Sequence, residues 1–162
     1  MKKYYLFILL LPTIFAFGQE EKKSPYLLNE IKVSPSLFLQ GIESISYERI
    51  IGEDGSVGLE LMYDFSKDHN AIYKSNILAY YRLFFSNRVN TTGLFIEWSV
   101  NRYNVIQHNE ISNGYAGLGI AVGGKFVNKN KWVADLFLGF SRTLDNHYEA
   151  KERIGLSVGK RF

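Results

Sequence analysis

The chain has 162 residues, 46% hydrophobic and 22% charged, with no cysteine, three prolines, fourteen glycines and a formal charge of +3. That length fits one domain. The lack of thiols excludes disulfides, thiolate metal sites, a cysteine nucleophile and a bacterial lipoprotein anchor, and the mix of apolar and charged residues excludes a fully disordered chain.

Residues 1–18 read MKKYYLFILLLPTIFAFG. Lys2 and Lys3 precede a short apolar run, and Ala16 and Gly18 are the small residues before a cut ahead of Gln19. The segment is expected to be a cleaved secretory signal peptide. A membrane-anchoring helix is the other reading, but the run falls short of the roughly 20 apolar residues that span a bilayer. Without Lys2 and Lys3, seventeen bases face sixteen acids, a charge of +1. No basic face for nucleic acid is implied. Residues 19–29 are polar, carry Pro25 and read as a tether, leaving residues 30–162 as the fold.

From here the apolar residues recur at every second position, the period of a strand with two unlike faces. Residues 31–39, interrupted by Pro35, and 44–51 form two weaker segments. Six strong ones follow, carrying Val57, Leu59 and Leu61; Ile77, Tyr81 and Leu83; Leu94, Ile96 and Trp98; Leu118, Ile120 and Val122; Trp132, Leu136 and Leu138; and Ile154, Leu156 and Val158. Connections 52–55, 86–92 and 127–130 are short; 66–74, 104–113 and 142–151 are longer and polar. Eight strands of about ten residues, with turns at one end and loops at the other, predict an all-β, eight-stranded antiparallel up-and-down transmembrane β-barrel.

Alternation alone also fits a soluble lipocalin-like barrel with its apolar face inward. Side-chain volume favours the opposite sense. The interior of eight strands is just wide enough for side chains to fill, and the small and charged face suits it better than the bulky one. Aromatics at the strand ends (Tyr63, Phe65, Phe84, Phe85, Tyr103, Tyr115, Phe126, Trp132, Phe140 and Phe162) match an interfacial girdle, although aromatics favour strands in any case.

The inward acids are then Glu48, Glu60, Asp64, Glu97 and Asp135, and the inward bases Arg82, Lys125, Arg153 and Arg161. Such charges must pair if they are buried, so a salt-bridged plug is expected rather than an open channel. Arg49 and Lys160 fall on the lipid face near the turn end, where long cationic side chains reach the headgroups. Leu78, Phe84, Phe95 and Phe137 sit on the polar face as exceptions that bulges could explain.

The closing segment RIGLSVGKRF ends on Phe162. With Ile154, Leu156, Val158 and Phe162 in alternation, it resembles the terminal targeting strand of outer-membrane barrels, which implies recognition by the barrel assembly machinery; Lys160 departs from that pattern. The segment with Tyr47, Glu48 and Arg49, a tight turn, and then Ser56 and Gly58 is similar to the secreted barrels of domain of unknown function family 3575. The segment from Arg153 to Gly159 looks like that family too. The resemblance implies a barrel and no activity.

No motif for nucleotide or zinc chemistry appears, and no cofactor is expected. Gly114, Gly117, Gly119, Gly123 and Gly124 read as small inward residues of one strand. His69, His108 and His147 fall one in each long loop, which makes them weak candidates for a shared metal. A lipid A-modifying enzyme of this fold would draw on His69 or His147 with Ser66, Asp68, Ser112 or Asp145. The expectation is a non-enzymatic outer-membrane barrel of a Gram-negative bacterium, with a plugged interior and a structural or binding role through its extracellular loops. Its partners would be outer-membrane lipid, the assembly machinery and a surface ligand of unknown identity.

Overall fold

Strands rich in β-branched and aromatic residues, separated by glycine- and asparagine-bearing turns, leave backbone edges that only closure removes. The computed structural model describes residues 28–38, 41–65, 74–85, 91–104, 106–107, 110–111, 114–144 and 150–162. In chain order these form β1 (Asn29–Val33), α1 (Pro35–Phe38), β2 (Ile42–Ile51), β3 (Gly55–Asp64), β4 (Ser75–Phe84), β5 (Gly93–Asn104), β6 (Ile106–Gln107), β7 (Glu110–Ile111), β8 (Tyr115–Val127), β9 (Trp132–Thr143) and β10 (Ala150–Arg161). Eight of the strands close an antiparallel barrel in the order β1-β10-β9-β8-β5-β4-β3-β2.

The register fixes the shape of that barrel. Trp132 pairs with Lys160, Lys160 with Ile31, and the path continues through Tyr47, Leu59, Ala79, Val100 and Leu118 to Arg142. One circuit therefore returns to β9 ten residues further on, from Trp132 to Arg142. With about 3.3 Å per residue and about 4.8 Å between strands, this shear tilts the strands by about 40°. Ten residues at that tilt stand about 25 Å tall, the height of the apolar band on a membrane barrel.

One end carries the tight turns and both termini of the sheet. Gly52, at a φ of 72°, turns β2 into β3. Between β8 and β9, Lys131 takes a φ of 67° and its N–H donates to the Asn128 carbonyl at 3.0 Å. The long connections leave from the opposite end.

The structure departs from several expectations. β1 is five residues long and does not reach 39: Pro35 opens the helical turn α1, where its missing N–H and fixed φ are tolerated, instead of interrupting a strand. Asn29, placed in the tether, pairs with Arg49 inside the barrel. The connection 104–113 contains the small hairpin of β6 and β7. Among the described residues the strand pairings run without a bulge. Leu78, Phe84 and Phe95 belong to the interior, buried behind the wall, with Phe137 half-buried beside them. Gly124 shares the outward face with Val122 and Phe126.

Candidate functional site: the charged interior

Burial in this barrel is inverted. Among the described residues, twenty-eight large apolar residues are exposed, most of them on the outer face of the strands, while Glu30, Lys32, Glu48, Glu60, Asp64, Arg82, Glu97, Lys125, Asp135 and Arg161 are buried. The side chain of Arg153 is 13% exposed. The expected inward set is thus inward throughout.

Most of it forms one network in the turn-end half. Near the turn end, Arg161 contacts Glu30 at 2.6 Å and Lys125 reaches the other oxygen of Glu30 at 2.8 Å. Lys125 also donates to Glu48 at 2.5 Å. Glu48 is the hub: it further accepts from Lys32, from Ser56 at 2.5 Å, from Arg82 at 2.9 Å and from Tyr80 at 3.1 Å. Asp135 accepts from Lys32 at 2.5 Å and from Arg82 at 2.7 Å. Arg82 donates through Nε to Glu97 at 2.9 Å, and Glu97 passes the chain on to Arg153 at 2.7 Å. Arg153 stands 4.0 Å from Glu60, which accepts from Ser44 at 2.5 Å. Charges removed from water in this way hold together only when their hydrogen-bonding capacity is nearly filled. Among the described residues one buried side-chain polar atom has no partner, Oδ1 of Asp135.

Aromatic rings complete the packing. The Arg82 guanidinium lies 4.4 Å from the Phe95 ring centre and 4.5 Å from that of Tyr80, and Lys125 lies 5.0 Å from that of Phe84. Arg153 lies 5.2 Å from the ring of Phe137. Three of the four apolar exceptions on the inward face, Phe84, Phe95 and Phe137, are therefore rings that face its cations. Room for two of them comes from cross-strand glycines: Gly123 opposes Phe95 and Gly155 opposes Phe137, each leaving no space for a Cβ.

Two members were missed from the sequence, Glu30 and Lys32. Their signal was the alternation with Ile31 and Val33, masked by the polar stretch that leads into it. Asp64 is buried nearer the loop end, apart from the hub, where Lys74 donates to its backbone carbonyl at 2.6 Å. Among the described residues of that half, Tyr103 bonds Thr143 at 2.5 Å, and Ser141 donates to Asn101 at 3.3 Å.

The outer face carries Ile154, Leu156 and Phe162 exposed, with Val158 half-buried. Its aromatics only partly follow the expected girdle. Phe85, Phe126, Trp132 and Phe162 stand outward at the turn end, and Tyr63 and Phe65 at the loop end. Phe84 and Tyr103 are interior, Tyr103 stacking on the half-buried Tyr115 at 5.7 Å, while Tyr47, Tyr81 and Trp98 lie outward nearer mid-wall. Arg49 bonds Asn29 at 3.1 Å, and the Lys160 ammonium lies 5.2 Å from the ring centre of Trp132.

His69, His108 and His147 lie outside the described residues, as do Ser66, Asp68, Ser112, Asp145 and residues 1–18. Among the described residues no three His, Asp or Glu side chains form a metal-binding group, and no helix is long and apolar enough to cross a membrane. The molecule is an all-β, eight-stranded antiparallel closed barrel. No family model, no curated protein and no solved structure matches the chain.

Proposed function

We infer that the chain is a non-enzymatic integral outer-membrane β-barrel, delivered by its signal segment and assembled by the barrel assembly machinery, with an interior closed by the Glu48 network. Its role is structural, or binding through the loops at the end opposite the turns. The observation that carries this reading is the inverted burial: an apolar belt about 25 Å tall outside and ion pairs inside. A soluble protein rarely exposes apolar patches beyond a few hundred Å², and a lipocalin-like carrier needs the opposite polarity. The plug follows from packing. Rings and ion pairs occupy the bore at the level of Arg82, where a water-filled path would need room around unpaired charge.

Fractionation and conductance test the two halves of this proposal separately. The protein should stay in the outer-membrane pellet through a carbonate wash and need detergent for release; release by osmotic shock alone contradicts it. In planar bilayers the purified barrel should give no sustained conductance, and a steady large channel contradicts the plug.

A further inference from the structure

The two hairpin turns described in full at the turn end carry opposite charge. The β2–β3 turn holds Glu53 and Asp54, and the β8–β9 turn holds Lys129 and Lys131. Two strands separate these hairpins on either side of the ring, so the turns stand across the barrel from each other. Lys160 adds a third cation beside the basic turn: it pairs with Trp132, and the Arg161 N–H next to it donates to the Lys131 carbonyl at 2.9 Å. Lys129, Lys131 and Lys160 are all exposed.

These three differ from the bases of the interior. Lys32, Arg82, Lys125, Arg153 and Arg161 each meet a carboxylate at 2.5–2.7 Å. Among the described residues no carboxylate pairs with Lys129, Lys131 or Lys160. Arg49, two strands round from Lys160, is held by Asn29 at 3.1 Å and stands outside the group. Three like charges on one hairpin and its neighbour raise the local potential and draw an anion from outside.

The wall beneath the lysines sets the height of that anion. Trp132 and Phe126 stand outward there and are exposed, and the Lys160 ammonium lies 5.2 Å from the Trp132 ring centre. An outward indole marks the boundary between hydrocarbon and headgroups. The ammoniums beside it therefore stand at the level of lipid phosphates. The next outward positions toward mid-wall are Gly124 and Ala134. Gly124 lies between Leu94 and Leu136, and a Cβ added to it would meet only the Phe126 ring, at 3.6 Å. The wall is lowest directly under the basic turn, which leaves a bed for a hydrocarbon chain.

We propose that the β8–β9 turn, together with Lys160, holds an anionic glycerophospholipid of the periplasmic leaflet, with its phosphate among Lys129, Lys131 and Lys160 and one acyl chain over Gly124 and Ala134. The site rests on the reading of the outer face as lipid-facing, in which the short turns face the periplasm. A zwitterionic head brings its own ammonium among the three lysines, so the site prefers a head whose only charge is the phosphate. Glu53 and Asp54 confine that preference to one side of the barrel.

Trp98 and Trp132 are the two tryptophans, so Trp98→Phe leaves Trp132 as the sole reporter. The full barrel is reconstituted in phosphatidylcholine vesicles that contain chain-brominated phosphatidylglycerol or chain-brominated phosphatidylcholine at equal mole fraction, and quenching of Trp132 is read. At low salt phosphatidylglycerol should be favoured at this ring by about fivefold. The preference should fade in about 1 M salt, where the screening length is about 3 Å. Lys129→Gln, Lys131→Asn and Lys160→Gln together should abolish it, asparagine being suited to the φ of 67° at position 131. Arg49→Gln should leave it in place. Lys160→Gln alone, expected to halve the preference, carries the test if the combined variant does not insert. Equal quenching by the two lipids, or a preference that survives the lysine substitutions, overturns the site while leaving the membrane reading intact. Quenching by neither lipid overturns that reading and the site together.

Discussion

The ring of Tyr80 occupies the space that a side chain on its cross-strand neighbour Gly58 would need: a Cβ there would stand 2.2 Å from Tyr80 Cζ. The same ring donates its hydroxyl to Glu48 at 3.1 Å and lies 4.5 Å from the Arg82 guanidinium. Gly58→Ala should therefore push the ring away from both charges. The expected cost is about 1–3 kcal/mol of unfolding free energy, the usual range for overpacking. Gly124→Ala is the matched comparison, since an added Cβ there meets only the Phe126 ring at ordinary contact distance and should be close to neutral. Urea unfolding of the two variants in lipid vesicles checks the difference.

Glu48 gathers five donors, so neutralising it strands Lys32 and Lys125 among fewer anions. Glu48→Gln should cost about 3–5 kcal/mol, the usual loss when one partner of a buried ion pair is removed. Glu60→Gln, at the edge of the network and 4.0 Å from Arg153, should cost less. Denaturant midpoints at constant m-value decide the order; equal losses at both positions would show that no hub exists.

Much of this interior was legible in the sequence, because the face a strand residue takes depends only on its parity. Parity placed Glu48, Arg82, Glu97, Lys125 and Asp135 on one side of the wall before any partner was known. It could not reveal which of them meet. Glu48 and Asp135 come together through the tilt of a closed barrel, and the shear of ten that sets this tilt is a property of all eight pairings at once. For the same reason Phe95 and Phe137 looked like errors of pattern: the glycines that make room for them, Gly123 and Gly155, lie on neighbouring strands. The length of β1 is hidden for a local reason: in an alternating segment Pro35 reads as a flaw within a strand, whereas it starts a helical turn.

If lipid surrounds the wall, the cost of an outward charge should depend on height. Leu138 lies at mid-strand, paired with Val122 and Ile154, whereas Phe126 lies at the turn end beside Ala134. Leu138→Arg should cost about 2–4 kcal/mol in a bilayer and Phe126→Arg about 0–1. The comparison is read from unfolding titrations in vesicles. Equal, small losses at both heights would mean that the wall faces water.

Assembly in the cell should separate from folding in vitro at Phe162. Phe162→Ala removes an exposed ring at the turn end while leaving the interior network untouched. Refolding into detergent should be unchanged, whereas the amount of heat-modifiable barrel in the outer membrane should fall severalfold. An unchanged cellular yield would remove the role proposed for this residue in targeting.

The claim on which the account depends is that successive residues of one strand see lipid and a packed ionic interior in turn. Nitroxide labels placed singly at Ala134 to Phe140 of β9, with the protein in native outer-membrane fractions, measure this directly. Leu136, Leu138 and Phe140 should be open to oxygen and closed to a polar nickel chelate, and Asp135 and Phe137 closed to both. Collision with the nickel chelate at Leu136, Leu138 and Phe140 would contradict the account.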